Sequence, residues 1–358
     1  MKKIVVIFPL IILLSYSCKK DKNDGVTPDF DKKSLLTNYG NNLIVPRYQA
    51  LSNSVIELET AINTFVTSTD SVSLVEARKK FLTVYSKWQA CSSFEFGPAK
   101  NNTLKSVLNI YPTDTTQINN NIQSGSYVLG AASNINAIGL PAIDFLLNSR
   151  VSISKSLTYF AAPNRKQYLQ DLTTQIKNTV NSVLSAWKGS YLSTFINSDG
   201  TSNGSSMSLI VNELNFDFEK FIRDGKVGIP LGVRSLGTPL PEKSEAYFGK
   251  NSTELCKESI LKLKEYFNGG TGQGLDDYLN HLEAKHGSQP LASKINSQFN
   301  LISTKLNALS GPISEQVISN QSAVQEVYDE MQKMIVLLKV DLSSALSILI
   351  TYQDNDGD

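Results

Sequence analysis

The chain has 358 residues, 34 Lys and Arg against 33 Asp and Glu, and a net charge of +1. With no basic run in the body, that balance excludes nucleic acid and other polyanions as expected partners. Three cysteines are too few for a disulfide scaffold, and the length suits two domains, since single cores rarely grow past about 250–300 residues.

Met1-Lys2-Lys3 reads as the basic start of a signal segment. Ile4 to Leu14 is its apolar core, shorter than the roughly 20 residues that a spanning helix needs. Leu14-Ser15-Tyr16-Ser17-Cys18 resembles a lipoprotein cleavage site. The expectation is removal of residues 1–17 and lipidation of Cys18, with an ordinary secretory cut near Ser17 as the alternative. A lipid there anchors the protein to the membrane. That places it in the cell envelope, on the periplasmic or surface-exposed face of the outer membrane. Residues 18–33, opened by Lys19-Lys20-Asp21-Lys22, read as a flexible tether.

Beyond the tether the apolar spacing is helical and clear strand alternation is absent. Leu51, Val55, Leu58, Ile62 and Phe65 form one stripe. Leu74, Ala77, Phe81, Tyr85 and Trp88 form the next, with Ser73 and Glu76 as an expected capping box. Ile118 to Ile135 is a weaker stripe. Leu169, Leu172, Ile176, Val180, Val183, Trp187 and Tyr191 are a strong one, with Pro163 in its first turn. The small polar run from Asn197 to Ser206 reads as a linker. Met207, Ile210, Leu214, Phe218 and Phe221 follow, then an expected loop from Asp224 to Pro241. Further helices are expected over Leu255–Phe267, Leu275–Leu282 and Leu291–Leu309, with a last stripe from Val324 to Leu346. The fold expected is all-α, two packed helical bundles over residues 34–199 and 200–358. Cys91 and Cys256 fall in helix-like segments and are expected as two buried free thiols, with a pairing as the alternative.

One stretch carries a motif. In Gly139-Leu140-Pro141-Ala142-Ile143-Asp144, positions 141 and 144 stand at i and i+3, on one face of a helix. The stretch resembles the Gly-x-His-x-x-Glu signature of the imelysin family, bacterial exported proteins linked to iron uptake and once described as metallopeptidases. Trp88 to Pro98, with Phe94, Glu95, Phe96 and Gly97, is similar to the family's aromatic stretch ending in Gly-Pro. Ile110-Tyr111-Pro112 is similar to the aromatic-Pro after it, and Leu346 to Asp358 to its apolar helix closing in Asp-Gly-Asp. The resemblance implies two packed helical bundles with the motif near their interface. It also implies a ligand site there, with iron or haem as the bound species and iron-uptake components as partners.

The chemistry at that place departs from the family's pattern. Pro141 stands where the family has His, and it has neither an imidazole nor a backbone N–H. Asp144 keeps a carboxylate, on a shorter stem. Candidate ligand-binding residues are therefore Gly139, Pro141, Asp144, Glu95 and Arg234, with Asp144 the one candidate metal ligand. Each has a plainer reading. Asp144 could favour the positive end of a helix opened by Pro141, Gly139 could permit a tight turn, Glu95 could be a solvated loop acid and Arg234 a surface arginine. His281 and His286 stand five apart, on different faces of a helix, and do not match a zinc pattern. His286 before Gly287 reads instead as a helix C-terminal residue. Asp354 to Asp358 stops short of a calcium loop. No zinc site is expected, and enzymatic activity is left open, leaning against. The expected function is a non-catalytic binding lipoprotein tied to iron or haem uptake. An imelysin-type metallopeptidase and a structural or adhesin-like surface protein are the alternatives.

Overall fold

The computed structural model describes residues 29–352 apart from Val151, so the signal segment, Cys18, most of the tether and residues 353–358 lie outside the described residues. From Asp31 onward the apolar stripes become buried helix faces. α1 (Lys32–Asn38) runs through a π-helical turn, Tyr39–Ile44, into α2 (Val45–Ser68). α3 (Ser71–Gln89) returns along α2. Leu51, Val55, Leu58, Ile62 and Phe65 on one helix and Leu74, Ala77, Phe81, Tyr85 and Trp88 on the other are all essentially solvent-free. Each of the Leu, Val, Ile and Phe side chains among them contributes about 1.5–3 kcal/mol by leaving water. The α3 cap differs from the expected Ser73 box. Asp70 caps the helix instead, accepting from the Ser73 N–H at 2.8 Å, because extended backbone at Asp70 starts the helix three residues earlier.

Short elements then bring the motif into place: α4 (Pro98–Asn101), α5 (Leu104–Leu108), α6 (Thr115–Ser124), α7 (Gly139–Asn148) and α8 (Ile153–Tyr159). The expected stripe to Ile135 ends early, since Gly125 takes a left-handed φ of 64° and closes α6. α9 (Pro163–Ala186) opens on Pro163 as expected and packs on both α2 and α7. It passes through a kinked turn at Gly189 into α10 (Leu192–Ile196).

The second half begins at α11 (Ser206–Phe216), which continues without a break into a π-helical stretch, Asp217–Gly228, and α12 (Ile229–Leu231). The expected loop from Asp224 is therefore helical as far as Leu231. The run is rich in charge, and its helical face is held by buried ion pairs rather than by apolar residues alone. α13 (Ser252–Phe267), α14 (Leu275–His281), α15 (Leu291–Asn307), α16 (Ile313–Ser319) and α17 (Gln321–Ile335) follow. A further π-helical turn, Val336–Leu342, leads to α18 (Ser343–Ala345). α15 packs between α13 and α17, and α13 also packs on α3, which joins the interiors of the two halves.

The only strands among the described residues are β1 (Lys285–His286) and β2 (Gln289–Pro290), an antiparallel pair. They correct the expected helical placement of His286. α14 stops at His281, Gly287 takes φ +61° in the hairpin, and His286 Nδ1 lies 2.8 Å from Asp341 Oδ2. Cys91 and Cys256 are buried free thiols. No helix among the described residues is long and apolar enough to cross a membrane.

Candidate functional site

Gly139 sets the position of α7. Its φ is +78°, and a Cβ there would stand 2.5 Å from the Leu108 carbonyl oxygen and 2.6 Å from that of Val107. Only glycine lets α7 begin against the end of α5. Pro141 is the third residue of α7 rather than the first, still within the turn whose N–H groups have no helical partner. One turn on, Asp144 is 1% exposed. Pro141 and Asp144 line a pocket of about 220 Å³ together with Tyr111, Glu242, Tyr247 and Phe248.

Asp144 accepts three hydrogen bonds. Its Oδ2 accepts from the backbone N–H groups of Phe248 at 3.0 Å and Gly249 at 3.2 Å, and its Oδ1 from Asn148 Nδ2 at 2.9 Å. A Cβ on Gly249 would meet Asp144 Oδ1 at 2.7 Å, so the loop needs glycine to reach the carboxylate. Burial pushes the Asp144 carboxyl up to about 6, with the nearby Glu245 carboxylate acting the same way, despite three hydrogen bonds that favour the anion. Phe248 also packs edge-on against Phe145, at 5.1 Å between centroids. Through Asp144, helix α7 holds the 248–249 loop.

Behind this pocket lies a second polar centre. Glu245 is completely buried and pairs with Lys226 through Oε2. Its Oε1 accepts from Asn109 Nδ2 at 2.7 Å and Gln89 Nε2 at 3.2 Å. The Gln89 Oε1 accepts from Lys226 at 2.8 Å and from Ser259 at 2.7 Å. Asn109 Oδ1 accepts from the Tyr85 hydroxyl at 2.7 Å. Residues from α3, α13, the π-helical stretch and the 244–249 loop thus satisfy one another, as a buried network must.

A third centre surrounds Lys105. Its Nζ lies 3.0 Å from Asp217 Oδ1 and 3.1 Å from Glu213 Oε1, and 4.0 Å from the Phe221 ring centroid. Asp217 Oδ2 accepts from Ser92 at 3.0 Å and Ser93 at 2.6 Å. One ammonium serves two carboxylates, and burial raises Glu213 to about 7. Glu95 belongs here and does not line the Asp144 pocket. Both its oxygens accept from the Lys105 backbone N–H at 3.1 Å, a cap on α5. Tyr111 lines both the Asp144 pocket and a water-sized cavity of about 10 Å³ between the Lys105 and Lys226 centres. Arg234 stands apart, donating from Nε and Nη2 to Asp224 Oδ2 at 3.2 and 3.1 Å.

The profile of the Imelysin family matches residues 44–339. The chain belongs to the Imelysin family. A search of curated proteins found no match. Among solved structures, a candidate iron-regulated protein A precursor from Parabacteroides distasonis superposes with a TM-score of 0.74 at 16% identity, covering 90% of this chain and 97% of the other. An Imelysin-like protein from Psychrobacter arcticum gives 0.72 at 15% identity, covering 90% and 97%. At these identities the likeness is one of fold.

The donor set at this imelysin motif does not fit a catalytic transition metal. The Pro141 side chain offers no lone pair at the family's His position, and the Asp144 oxygens already accept three hydrogen bonds. Among the described residues no group of three His, Cys, Asp or Glu side chains is placed to hold an ion. Of the residues picked out by sequence, the structure brings Gly139, Pro141 and Asp144 together on α7 and puts Glu95 and Arg234 elsewhere. Sequence reasoning missed Gln89, Lys105, Asn109, Lys226 and Glu245. The available signal was Gln89 directly after Trp88, and Lys105 inside the apolar frame of Leu104 and Leu108.

Proposed function

We propose that this imelysin-family protein is a non-catalytic binding lipoprotein of the cell envelope, anchored through Cys18, that holds an iron compound or haem in the pocket beside Pro141 and Asp144. The observation that carries this reading is the engagement of Asp144 by Asn148 and the Phe248 and Gly249 amides. The motif carboxylate shapes the wall of a pocket instead of activating a water. Tyr247 and Phe248 belong both to this pocket and to a neighbouring cavity of about 800 Å³. Together they form an aromatic-edged space of the size small ligands use. Tyr247 is 39% exposed at that junction, and its phenol is an oxygen donor suited to ferric haem. The Parabacteroides relative's name, iron-regulated protein A, supports an iron-related role.

The test is a titration of haem, and separately of ferric citrate, into the protein lacking residues 1–17, followed by absorbance and calorimetry. Saturable binding of one of them, weakened about tenfold or more by Tyr247→Phe for a lost donor, is the expected result. Absence of binding by both would reject the reading.

A further inference from the structure

Two guanidinium groups converge on one tyrosine beyond the C-terminal end of α7. The central guanidinium carbon of Arg165 lies 3.2 Å from the Tyr159 ring centroid, and that of Arg150 lies 4.0 Å from it. Stacking satisfies the face of a guanidinium but not its edge, where all five N–H donors point. On that edge Arg165 Nε and Nη1 are buried with no acceptor. The Tyr159 hydroxyl is buried and unpartnered as well, and so is the Oγ of Ser149, which precedes Arg150 in the chain and lines the same cavity.

The local sequence supplies no counter-charge. Residues 145–170 contain Arg150, Lys155, Arg165 and Lys166 but no Asp or Glu. Asp144, just before them, is committed to the 248–249 loop. The carbonyl end of α7 does not occupy the pair either, because Arg78 donates from Nε at 2.9 Å and Nη2 at 2.6 Å to the Leu147 oxygen. Burial, and then the Arg150 charge, lower Arg165 to about 10. Two cations stacked on one ring, one of them with buried unused donors, are stabilised by an anion beside them. Arg150 and Ser149 line the 800 Å³ cavity with Tyr247, Lys250 and Glu315; Glu315 is taken up by Lys250 at 2.6 Å, and the Arg150 side of the cavity gives an anion a way in.

We propose that Arg150 and Arg165, with the Tyr159 hydroxyl and Ser149, form a binding site for an oxyanion, a phosphate or carboxylate group entering from that cavity. Planar guanidiniums recognise such groups through paired N–H donors. The site stands on its own geometry and holds whether or not the Asp144 pocket binds iron or haem. It lies beyond Asp144 along α7, linked to the pocket by rings: Phe248 against Phe145, and Phe145 against Tyr159 at 6.5 Å.

Thermal unfolding and calorimetry of the protein lacking residues 1–17 test this, with inorganic phosphate and succinate as probes and sodium chloride at matched ionic strength as the control. A bound anion raises Tm by mass action, so at least one probe is expected to raise Tm by several degrees more than chloride does. Phosphate alone acting identifies a phosphate-bearing ligand, and succinate alone a carboxylate. Arg165→Gln is expected to weaken the binding about tenfold or more. Arg150→Gln, at a half-buried position, provides the same reading if the first variant does not fold. Shifts no larger than those of chloride for both probes, or affinity unchanged in the folded arginine variants, would overturn the site.

Discussion

Lys105→Ala is expected to lower folding stability by about 3–5 kcal/mol, the cost of leaving a buried charge without its partner. Asp217 is completely buried and the Glu213 side chain is 14% exposed, and both lie within 3.1 Å of the one ammonium. The two serine hydroxyls on Asp217 Oδ2 remain but carry no charge. Urea unfolding followed by circular dichroism at pH 7.5 measures the loss. The deficit should shrink as pH falls, because Glu213, already raised to about 7 by burial, can then take up a proton in the variant's interior. Lys105→Met combined with Asp217→Asn and Glu213→Gln should recover a large part of it by removing all three charges. A loss under about 1 kcal/mol for Lys105→Ala would mean that the cluster is solvated, as surface pairs are.

The second large effect is the pH dependence set by Asp144. Its folded pKa, about 6, stands above the ordinary value of 3.8. The folded state therefore holds the proton more tightly than the unfolded chain does. The stability this contributes is fully present below about pH 4 and is lost as pH rises through 6. A rise of that size corresponds to roughly 3 kcal/mol. Asp144→Asn keeps the shape, can still accept from the Phe248 and Gly249 amides, and carries no charge. The stability difference between the variant and the wild type should therefore move in the variant's favour by about 2 kcal/mol between pH 4.5 and 7.5. Comparing the two proteins cancels the contribution of Glu213, which titrates in the same window. A difference that stays constant with pH would show that Asp144 is not buried as an anion.

The helices were legible in the sequence because burial repeats with the helical period. The stripe from Leu51 to Phe65 and that from Leu74 to Trp88 are buried residue for residue. What periodicity does not encode is a polar interior. Asp217, Glu219, Arg223, Asp224 and Lys226 look like the solvated end of a helix, yet all are buried in Asp217–Gly228. The partners of Asp217 and Lys226, which are Lys105, Gln89 and Glu245, come from other parts of the chain, and a single sequence does not show such pairings.

The site was legible in part for the same reason. The i,i+3 spacing of Pro141 and Asp144 placed both on one helical face, where they line one pocket. The partner of Asp144 was not legible, because backbone amides at 248 and 249 carry no side-chain signature. Glu95 was picked out by its aromatic neighbours, yet its carboxylate caps α5. Pro141 reads as a helix start by propensity, but Gly139, free to take a positive φ against the α5 carbonyls, begins α7 two residues sooner.

Whether Asp144 holds the loop or an ion is decided by a calorimetric zinc titration of the wild type and Asp144→Ala at pH 7.5, with cleavage of unfolded insulin chains followed in parallel. Loop-holding predicts that the two proteins bind zinc equally weakly and that neither cleaves the chains. Zinc binding by the wild type with a Kd of about 1 μM or tighter, lost together with cleavage in Asp144→Ala, would contradict it and make the imelysin motif of this chain a metal centre.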